Sequence, residues 1–275
     1  MDLSLVASNL NFVKRVLSLG FGAALAWAQA NSSDGASLNN LGVSLRLASR
    51  PADAILQFNA AIKLAEASGD NRLLATSLGG LGSSLVDQGE FARALPVLRR
   101  SLGIFEKITG PDSLETGEAA NNLAMAYRKD GDLAQAQAQL ERALPLMQMY
   151  FDTRSVELEI AFNNMFIVLA EQKKWDQADP YVFRALEIAK VLPENAQRAD
   201  IEENVALLQA HRAQFREAAQ TMEHVIAIEE RTLGPENPRL AASLESYAAY
   251  LRKISQKTEA QRAEERARGI RRAAL

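Results

Sequence analysis

An alanine recurs along the chain at a nearly constant interval, in the same local pattern each time. The intervals between successive copies are 40, 42, 42, 40 and 42 residues. These six anchor alanines are Ala54, Ala94, Ala136, Ala178, Ala218 and Ala260. The residues four positions after them are Phe58, Leu98, Leu140, Val182, Met222 and Glu264, so the last copy departs from a large apolar type. A period of this length predicts stacked structural units, each too small to bury its apolar face alone.

A second group of positions precedes each anchor. Thirteen residues earlier stand Leu41, Leu81, Leu123, Met165, Val205 and Tyr247, and nine earlier stand Leu45, Leu85, Tyr127, Leu169, Gln209 and Leu251. Spacings of three, four and seven place such residues on one face of a helix. Between the two groups, Gly89-Glu90-Phe91 and Gly131-Asp132-Leu133 are typical of a turn, because glycine supplies the left-handed conformation that ends a helix. The related segment Lys173-Lys174-Trp175 predicts a turn at the same place in the fourth repeat. Each unit is therefore predicted to be a helical hairpin.

This pattern resembles the tetratricopeptide repeat (TPR) family. The period near 42, the phrase Leu233-Gly234-Pro235-Glu236-Asn237-Pro238 and the segment Asn121-Asn122-Leu123-Ala124 are similar to its kinesin light chain-like subgroup. The resemblance implies an all-α, right-handed superhelical solenoid of six stacked helical hairpins, occupying residues 31–275. The expected repeats cover about 35–70, 73–110, 114–151, 155–192, 196–233 and 237–273.

Three places depart from the repeat pattern. Phe166 stands where a small residue is usual, which predicts a fourth hairpin that is wedged open or rotated. Gln209 replaces an apolar residue, which predicts a weaker fifth hairpin. We therefore expect the least regular packing around residues 150–215. The sixth repeat surrounds Ala260 and Ala267 with charge, as a capping helix that faces water requires.

The first thirty residues differ from the repeats. Lys14 and Arg15 precede the uncharged run 16–28, which ends in Ala28-Gln29-Ala30. A basic segment, a short apolar stretch and an A-x-A site form the pattern of a secretory signal peptide, and the run is too short to span a bilayer. We expect residues 1–30 to be a signal peptide, with secretion across the inner membrane into the periplasm and no stable membrane insertion after cleavage. The alternatives are a buried first helix and an uncleaved membrane tether.

Composition excludes several classes of function. The chain has no Cys and two His, so thiolate chemistry and His-rich metal sites are excluded. A formal net charge of -3 does not provide the positive electrostatic potential that attracts the phosphate backbone of a nucleic acid. No phosphate-binding, dinucleotide-binding or serine-hydrolase motif is present, and His211 and His224 lie on different helices of one hairpin without a carboxylate constellation. We therefore predict no catalytic residue, no cofactor and no metal.

The candidate binding residues follow the repeat register. An Asn stands fourteen residues before four of the six anchors, at Asn40, Asn122, Asn164 and Asn204. Because an Asn side chain carries both donors and acceptors, such a ladder can hold a peptide backbone without reading its sequence; similar Asn residues grip the ligand main chain in the TPR family. The alternative is that these Asn bond the neighbouring repeat and are structural.

Cations follow on the same stripe: Arg46, Arg128 and Arg252, with Lys129 directly after the second. They favour an acidic segment or a terminal carboxylate, although Asp87 and Glu118 nearby make the surface mixed. The alternative is solvated surface charge.

The predicted function is that of an exported, non-enzymatic scaffold that binds a protein or extended peptide on its concave face. In the TPR family the first helices line this face. The ligand is expected to be acidic if the cations take part in binding. Two alternatives remain open at this point. The repeats could self-associate into a homo-oligomer without a separate ligand, or an uncleaved leader could tether an assembly factor to the cell envelope.

Overall fold

The computed structural model describes residues 34–152, 155–192 and 195–273, and this part of the chain is all α-helical. Its helices are α1 (Gly35–Leu47), α2 (Pro51–Ser68), α3 (Asn71–Asp87), α4 (Phe91–Ile108), α5 (Leu114–Asp130), α6 (Leu133–Tyr150), α7 (Val156–Glu171), α8 (Trp175–Val191), α9 (Ala196–His211), α10 (Phe215–Leu233), α11 (Pro238–Lys253) and α12 (Lys257–Ala273). Consecutive helices form pairs, so the prediction of an all-α repeat fold built from helical hairpins is confirmed.

The first helix of each hairpin begins with a capping side chain. The residues that cap α1, α3, α5, α7, α9 and α11 are Asp34, Asp70, Ser113, Ser155, Asn195 and Asn237. Each accepts a hydrogen bond from a backbone N–H of the first turn, which has no partner inside the helix. These caps fix where every repeat starts.

Each hairpin turns at one left-handed residue, five positions before its anchor alanine. Glycine takes this position at Gly89 and Gly131, as the sequence predicts, with φ of 78° and 92°. The other four repeats adopt the same conformation without glycine, at Ser49, Lys173, Ala213 and Ser255, with φ between 57° and 65°. In all six turns the next amide donates to the carbonyl five residues earlier, over 2.8–3.0 Å. This closing bond is the Schellman pattern.

The anchor alanines lie where the two helices of a hairpin meet. All six are fully buried, and the large apolar residues four positions later are buried as well. Glu264, which breaks that pattern, is instead half-buried and accepts a hydrogen bond from Arg252 on the facing helix. The small anchors permit close approach of the helices, while the large neighbours fill the space beside them.

The helices group into two compact units, of which the first ends at Met147. In this unit each helix packs against the next through α5, and the first helices α1, α3 and α5 also contact one another directly. Salt bridges that join helices of successive repeats include Arg46–Asp87, Arg72–Glu115, Arg100–Glu66 and Arg142–Glu106.

The second unit begins at Gln148 and contains α7–α12, each packed against the next. An apolar core joins α10, α11 and α12 and includes Ile226, Leu240 and Ile270. Helix α12 contributes its alanines and Ile270 to this core and exposes most of its charged side chains.

The structure accounts for two of the sequence departures. Phe166 is fully buried, and α7 packs against α8 in the manner of the other hairpins. Gln209 is half-buried and accepts a hydrogen bond of 2.9 Å from the Thr221 hydroxyl on the facing helix α10. Its side chain is therefore satisfied inside the hairpin rather than left without a partner.

The predicted signal peptide lies outside the described residues. Within residues 34–152, 155–192 and 195–273, no helix combines the length and apolar character that crossing a membrane requires.

Candidate functional site

A groove of about 320 Å³ runs across the first helices of the first unit. Helices α1, α3 and α5 supply its walls, since they lie side by side in direct contact. Their lining residues include Val43, Arg46, Arg72, Thr76, Gly79, Gly80, Ser83, Glu115, Glu118 and Asn122, and Phe58, Ser101 and Phe105 come from the second helices. The groove-facing positions of a repeat, counted back from its anchor, therefore include the eighth, eleventh, fourteenth, fifteenth and eighteenth residues.

Two glycines of α3 line this groove and have different surroundings. A Cβ on Gly80 would lie 2.3 Å from Cε1 of Phe58, so the backbone of α3 rests directly on that ring. A Cβ on Gly79 would meet nothing closer than the Ser101 hydroxyl, at 3.5 Å. Gly80 therefore permits close packing of α3 on α2. Gly79 has a second consequence, because its missing side chain leaves space at the centre of the groove.

Ion pairs between neighbouring first helices border the groove. Arg46 contacts Asp87 at 3.1 Å, and Arg72 contacts Glu115 at 2.6 Å. These side chains are partly exposed, so each pair adds at most about 1 kcal/mol to stability. The rim consequently presents charges of both signs.

The predicted Asn ladder divides between two environments. Asn122 lines the groove and is half-buried, and Asn40 and Asn164 are half-buried at the equivalent positions of α1 and α7. Asn204 instead donates a hydrogen bond of 2.8 Å to Asn163 of the preceding repeat. Asn204 therefore bonds the neighbouring repeat, as the structural alternative expects, whereas Asn122 lines the groove.

The four predicted cations also differ in their contacts and exposure. Arg46 lies in the groove but pairs with Asp87, and Arg252 donates to both carboxylate oxygens of Glu264, at 2.7 and 2.9 Å. Arg128 is half-buried near the end of α5, and the following Lys129 is exposed. Because two of the four cations already bind carboxylates of their own chain, a preference for acidic ligands stays a prediction.

Sequence reasoning missed the register position one residue earlier. Asn39 is buried and accepts a hydrogen bond of 3.1 Å from Ser77 of the next repeat, and Asn163 accepts the bond from Asn204. Asn121 is buried at the same position of α5. The doubled Asn-Asn at 39–40, 121–122 and 163–164 was the available signal: one member faces the next repeat and the other faces outward.

Buried acids distinguish the second unit. Glu159 on α7 is 2% exposed, its Oε1 accepts no hydrogen bond from the described residues, and burial raises its pKa to about 7. Glu202 is also buried, but Arg198 donates to it at 2.9 Å and His224 contacts its other oxygen. Glu159 is thus an unpaired carboxyl group in the interior.

The two histidines have structural surroundings. The His211 ring stacks on Trp175 with 4.2 Å between centroids, and His224 contacts Glu202. No cluster of three or more His, Asp or Glu able to hold a metal ion occurs among residues 34–152, 155–192 and 195–273. The carboxylate partner of His224 was not predicted from the sequence, because Glu202 lies on the other helix of the hairpin.

Comparison with known proteins supports the interpretation of the repeats. Residues 73–149, which form α3–α6 and their connections, match the tetratricopeptide repeat family. The fold is that of TPR proteins. No curated protein matches the sequence significantly.

Solved TPR-type structures extend the similarity to most of the chain. BtubC (BKLC) from P. vanneervenii is 21% identical over 80% of this chain and 90% of its own, with a TM-score of 0.68. A kinesin light chain-type protein of Podospora anserina with nearly identical TPR-like repeats is 20% identical over 72% of this chain and 95% of its own, with a TM-score of 0.61. RapI in its apo form is 15% identical over 96% of this chain and 95% of its own, with a TM-score of 0.65. At these identities the likeness concerns the fold.

Proposed function

We propose that this protein is an exported, non-enzymatic TPR scaffold that binds an extended segment of a partner protein in the groove of its first unit. The observation that carries this proposal is the floor of the groove. Gly79 leaves the surface of α3 free of a side chain in a cavity bounded by α1, α3 and α5, and Gly80 lets the same helix rest on the Phe58 ring. An extended chain, which is narrow, fits such a channel better than a helix does.

The chemistry of the lining favours recognition of a backbone. The Asn122 amide can donate to a peptide carbonyl and accept from a peptide N–H at the same time. Thr76 and Ser83 add hydroxyl groups, while Phe58 and Phe105 supply an apolar base. Because Arg46 and Arg72 already pair with carboxylates, partner side chains are selected less by charge than by fit to this base.

Catalysis is not part of the proposal. The groove contains Glu115 and Glu118 but no histidine, and the Glu115 pKa is lowered: burial opposes the shift, but hydrogen bonding and charge from Arg72 outweigh it. A carboxylate held in its ionised form by an arginine is a poor proton donor. Export rests on the leader pattern of residues 1–30, and the periplasm is the compartment that this pattern favours.

Filling the groove tests the binding proposal. Gly79→Leu places a side chain at the centre of the channel, where only the Ser101 hydroxyl lies near. The matched control is Gly103→Leu, on α4 outside the groove, where an added Cβ meets nothing within 4 Å. We expect the wild type and Gly103→Leu to retain the same cross-linked partner from the native cell envelope, identified by mass spectrometry, and Gly79→Leu and Asn122→Ala to lose it.

If Gly79→Leu retains that partner and its circular dichroism spectrum is unchanged, the partner does not bind in the groove and the proposal is contradicted. Export is tested separately by N-terminal sequencing of the exported protein. A start near Asn31 supports cleavage, whereas an intact leader would favour the membrane-tethered alternative.

A further inference from the structure

The second unit contains a cavity of about 390 Å³, and every residue that lines it belongs to this unit. Its apolar wall consists of Leu158 and Phe162 from α7 and of Ile188 and Val191 from α8. The first three of these side chains are buried, whereas Val191 is exposed, so the cavity opens to solvent near Val191. A cavity of this volume is within the range of binding sites for small molecules.

Arg184 lines this cavity at a position that binds a carboxylate in other repeats. In three other repeats the residue six positions after the anchor is also an arginine, and it pairs with a glutamate twelve positions after the preceding anchor. These pairs are Arg100–Glu66, Arg142–Glu106 and Arg266–Glu230, at 2.7, 2.6 and 2.5 Å. In the fourth repeat Gln148 stands where the glutamate would be. This repeat therefore keeps the cation of the pair and lacks the anion.

Gln148 and Arg184 both line the cavity, so the cavity lies where the missing carboxylate would be. Arg184 has no ion pair and no side-chain hydrogen bond with the residues that the structure describes, and its guanidinium carbon lies 5.7 Å from the centroid of the Phe162 ring. A guanidinium held over a ring keeps its N–H donors available for an acceptor. The cavity thus combines a cation that has donors to offer with an apolar wall beside it.

One carboxylate also lines the cavity. Glu187 stands three residues after Arg184 on α8, yet no ion pair joins these two described side chains. Because Glu187 repels an anion, the carboxylate of a ligand is expected between Arg184 and Gln148, whose side-chain amide can donate a hydrogen bond to it.

We propose that this cavity binds a small apolar carboxylate, such as a medium-chain fatty acid, with its carboxylate on Arg184 and Gln148 and its chain along the apolar wall. The ligand's carboxylate takes the place of the glutamate that other repeats supply. The cavity is larger than one acidic side chain can fill, which favours a small molecule with an apolar part over a side chain of a partner protein. The site is independent of the proposed function, since no residue lines both this cavity and the groove of the first unit.

Titration of the full chain with sodium octanoate tests this site, with octylammonium and acetate as comparisons. Binding is followed by NMR shifts of the backbone amides of α7 and α8 at low ionic strength, about 10 mM, where screening is weak. We expect saturable shifts with octanoate and none with octylammonium, which has the same chain and the opposite charge. Acetate has the carboxylate without the chain and should bind at least about tenfold more weakly than octanoate.

Two substitutions change the charge where the carboxylate is expected. Arg184→Gln removes the cation from an exposed side chain and should lower the octanoate affinity about tenfold or more. Gln148→Glu restores the glutamate of the other repeats, so it should pair with Arg184 and lower the octanoate affinity in the same direction. The matched control is Arg142→Gln, at the equivalent position of the third repeat, where the arginine already binds Glu106. We expect this control to bind octanoate as the wild type does.

Glu187→Gln tests the sign of the charge that the ligand carries. This variant should bind octanoate at least as tightly as the wild type, because a repulsive carboxylate is removed; weaker binding would overturn the proposal. No shifts with octanoate, equal shifts with octylammonium, or an unchanged octanoate affinity in Arg184→Gln would also overturn it. Binding of acetate as tight as that of octanoate would overturn it too, since the apolar wall would then play no part.

Discussion

Replacing Glu159 by alanine should stabilise the protein, and the gain should depend on pH. The position lies nineteen residues before its anchor, where the other five repeats carry Gly35, Ala75, Gly117, Ala199 and Ala241. The packing explains that preference, since a Cβ on Gly117 would lie 3.1 Å from Cβ of Leu146. Glu159 therefore places a long acid where the fold otherwise accepts only a small side chain.

The expected magnitude follows from the pKa. Glu159 is 2% exposed, and burial raises its pKa from 4.5 to about 7. Below pH 4.5 the carboxyl group is protonated in the folded and unfolded states alike, and it contributes no charge to bury. Between the two pKa values the unfolded state loses its proton first, so stability falls as the pH rises. At about 1.4 kcal/mol for each pH unit, the loss reaches about 3 kcal/mol and is complete above pH 7.

Urea unfolding followed by circular dichroism at several pH values from about 5 to 8 measures this effect. The free energy of unfolding of Glu159→Ala, relative to the wild type, should increase by about 2.5 kcal/mol across that range, because part of the loss has already occurred at pH 5. Glu157→Gln, which removes an exposed acid two residues earlier, is the control and should show no such trend. A difference between Glu159→Ala and the wild type that stays constant with pH would refute the reasoning.

Two backbone substitutions give further expected outcomes. Gly80→Ala places its Cβ 2.3 Å from the Phe58 ring and should destabilise the protein by about 1–3 kcal/mol, while Gly103→Ala, with nothing within 4 Å, should stabilise it by about 0.5–1 kcal/mol. Thermal unfolding compares the two, and equal effects would contradict the packing described for α3. Ala213→Gly relieves an alanine with φ of 59° and should raise the free energy of unfolding by about 1 kcal/mol in urea titrations; a decrease would contradict the left-handed turn.

The repeat and its hairpins were predictable because their signals are local. The anchor alanine and its neighbours lie within one helix pair, and helix geometry converts their spacing directly into a buried face. Ala136 and Leu140 are fully buried as that spacing requires. The turn was predicted at Gly89, Gly131 and Lys173, but the same backbone conformation at Ser49, Ala213 and Ser255 could not be inferred from residue type.

The candidate site was predictable only in part. Arg46 and Asn122, which the sequence register assigned to one stripe, both line the groove of the first unit. Asn204 shows the limit, because its hydrogen bond to Asn163 joins residues 41 positions apart. Residue type alone does not distinguish an Asn side chain that lines a groove from one that bonds a neighbouring helix.

The sequence by itself determined the helix pairs, their period and the small anchors between them, because each of these depends on contacts inside a single repeat. The tertiary structure decided which side chains remain available. It joins Arg46 to Asp87 beside the groove, leaves Gly79 open, and joins Arg239 to both Asp200 and Glu229. These pairings depend on how one repeat is rotated against the next, and that rotation is fixed by packing between helices rather than by the spacing within either one.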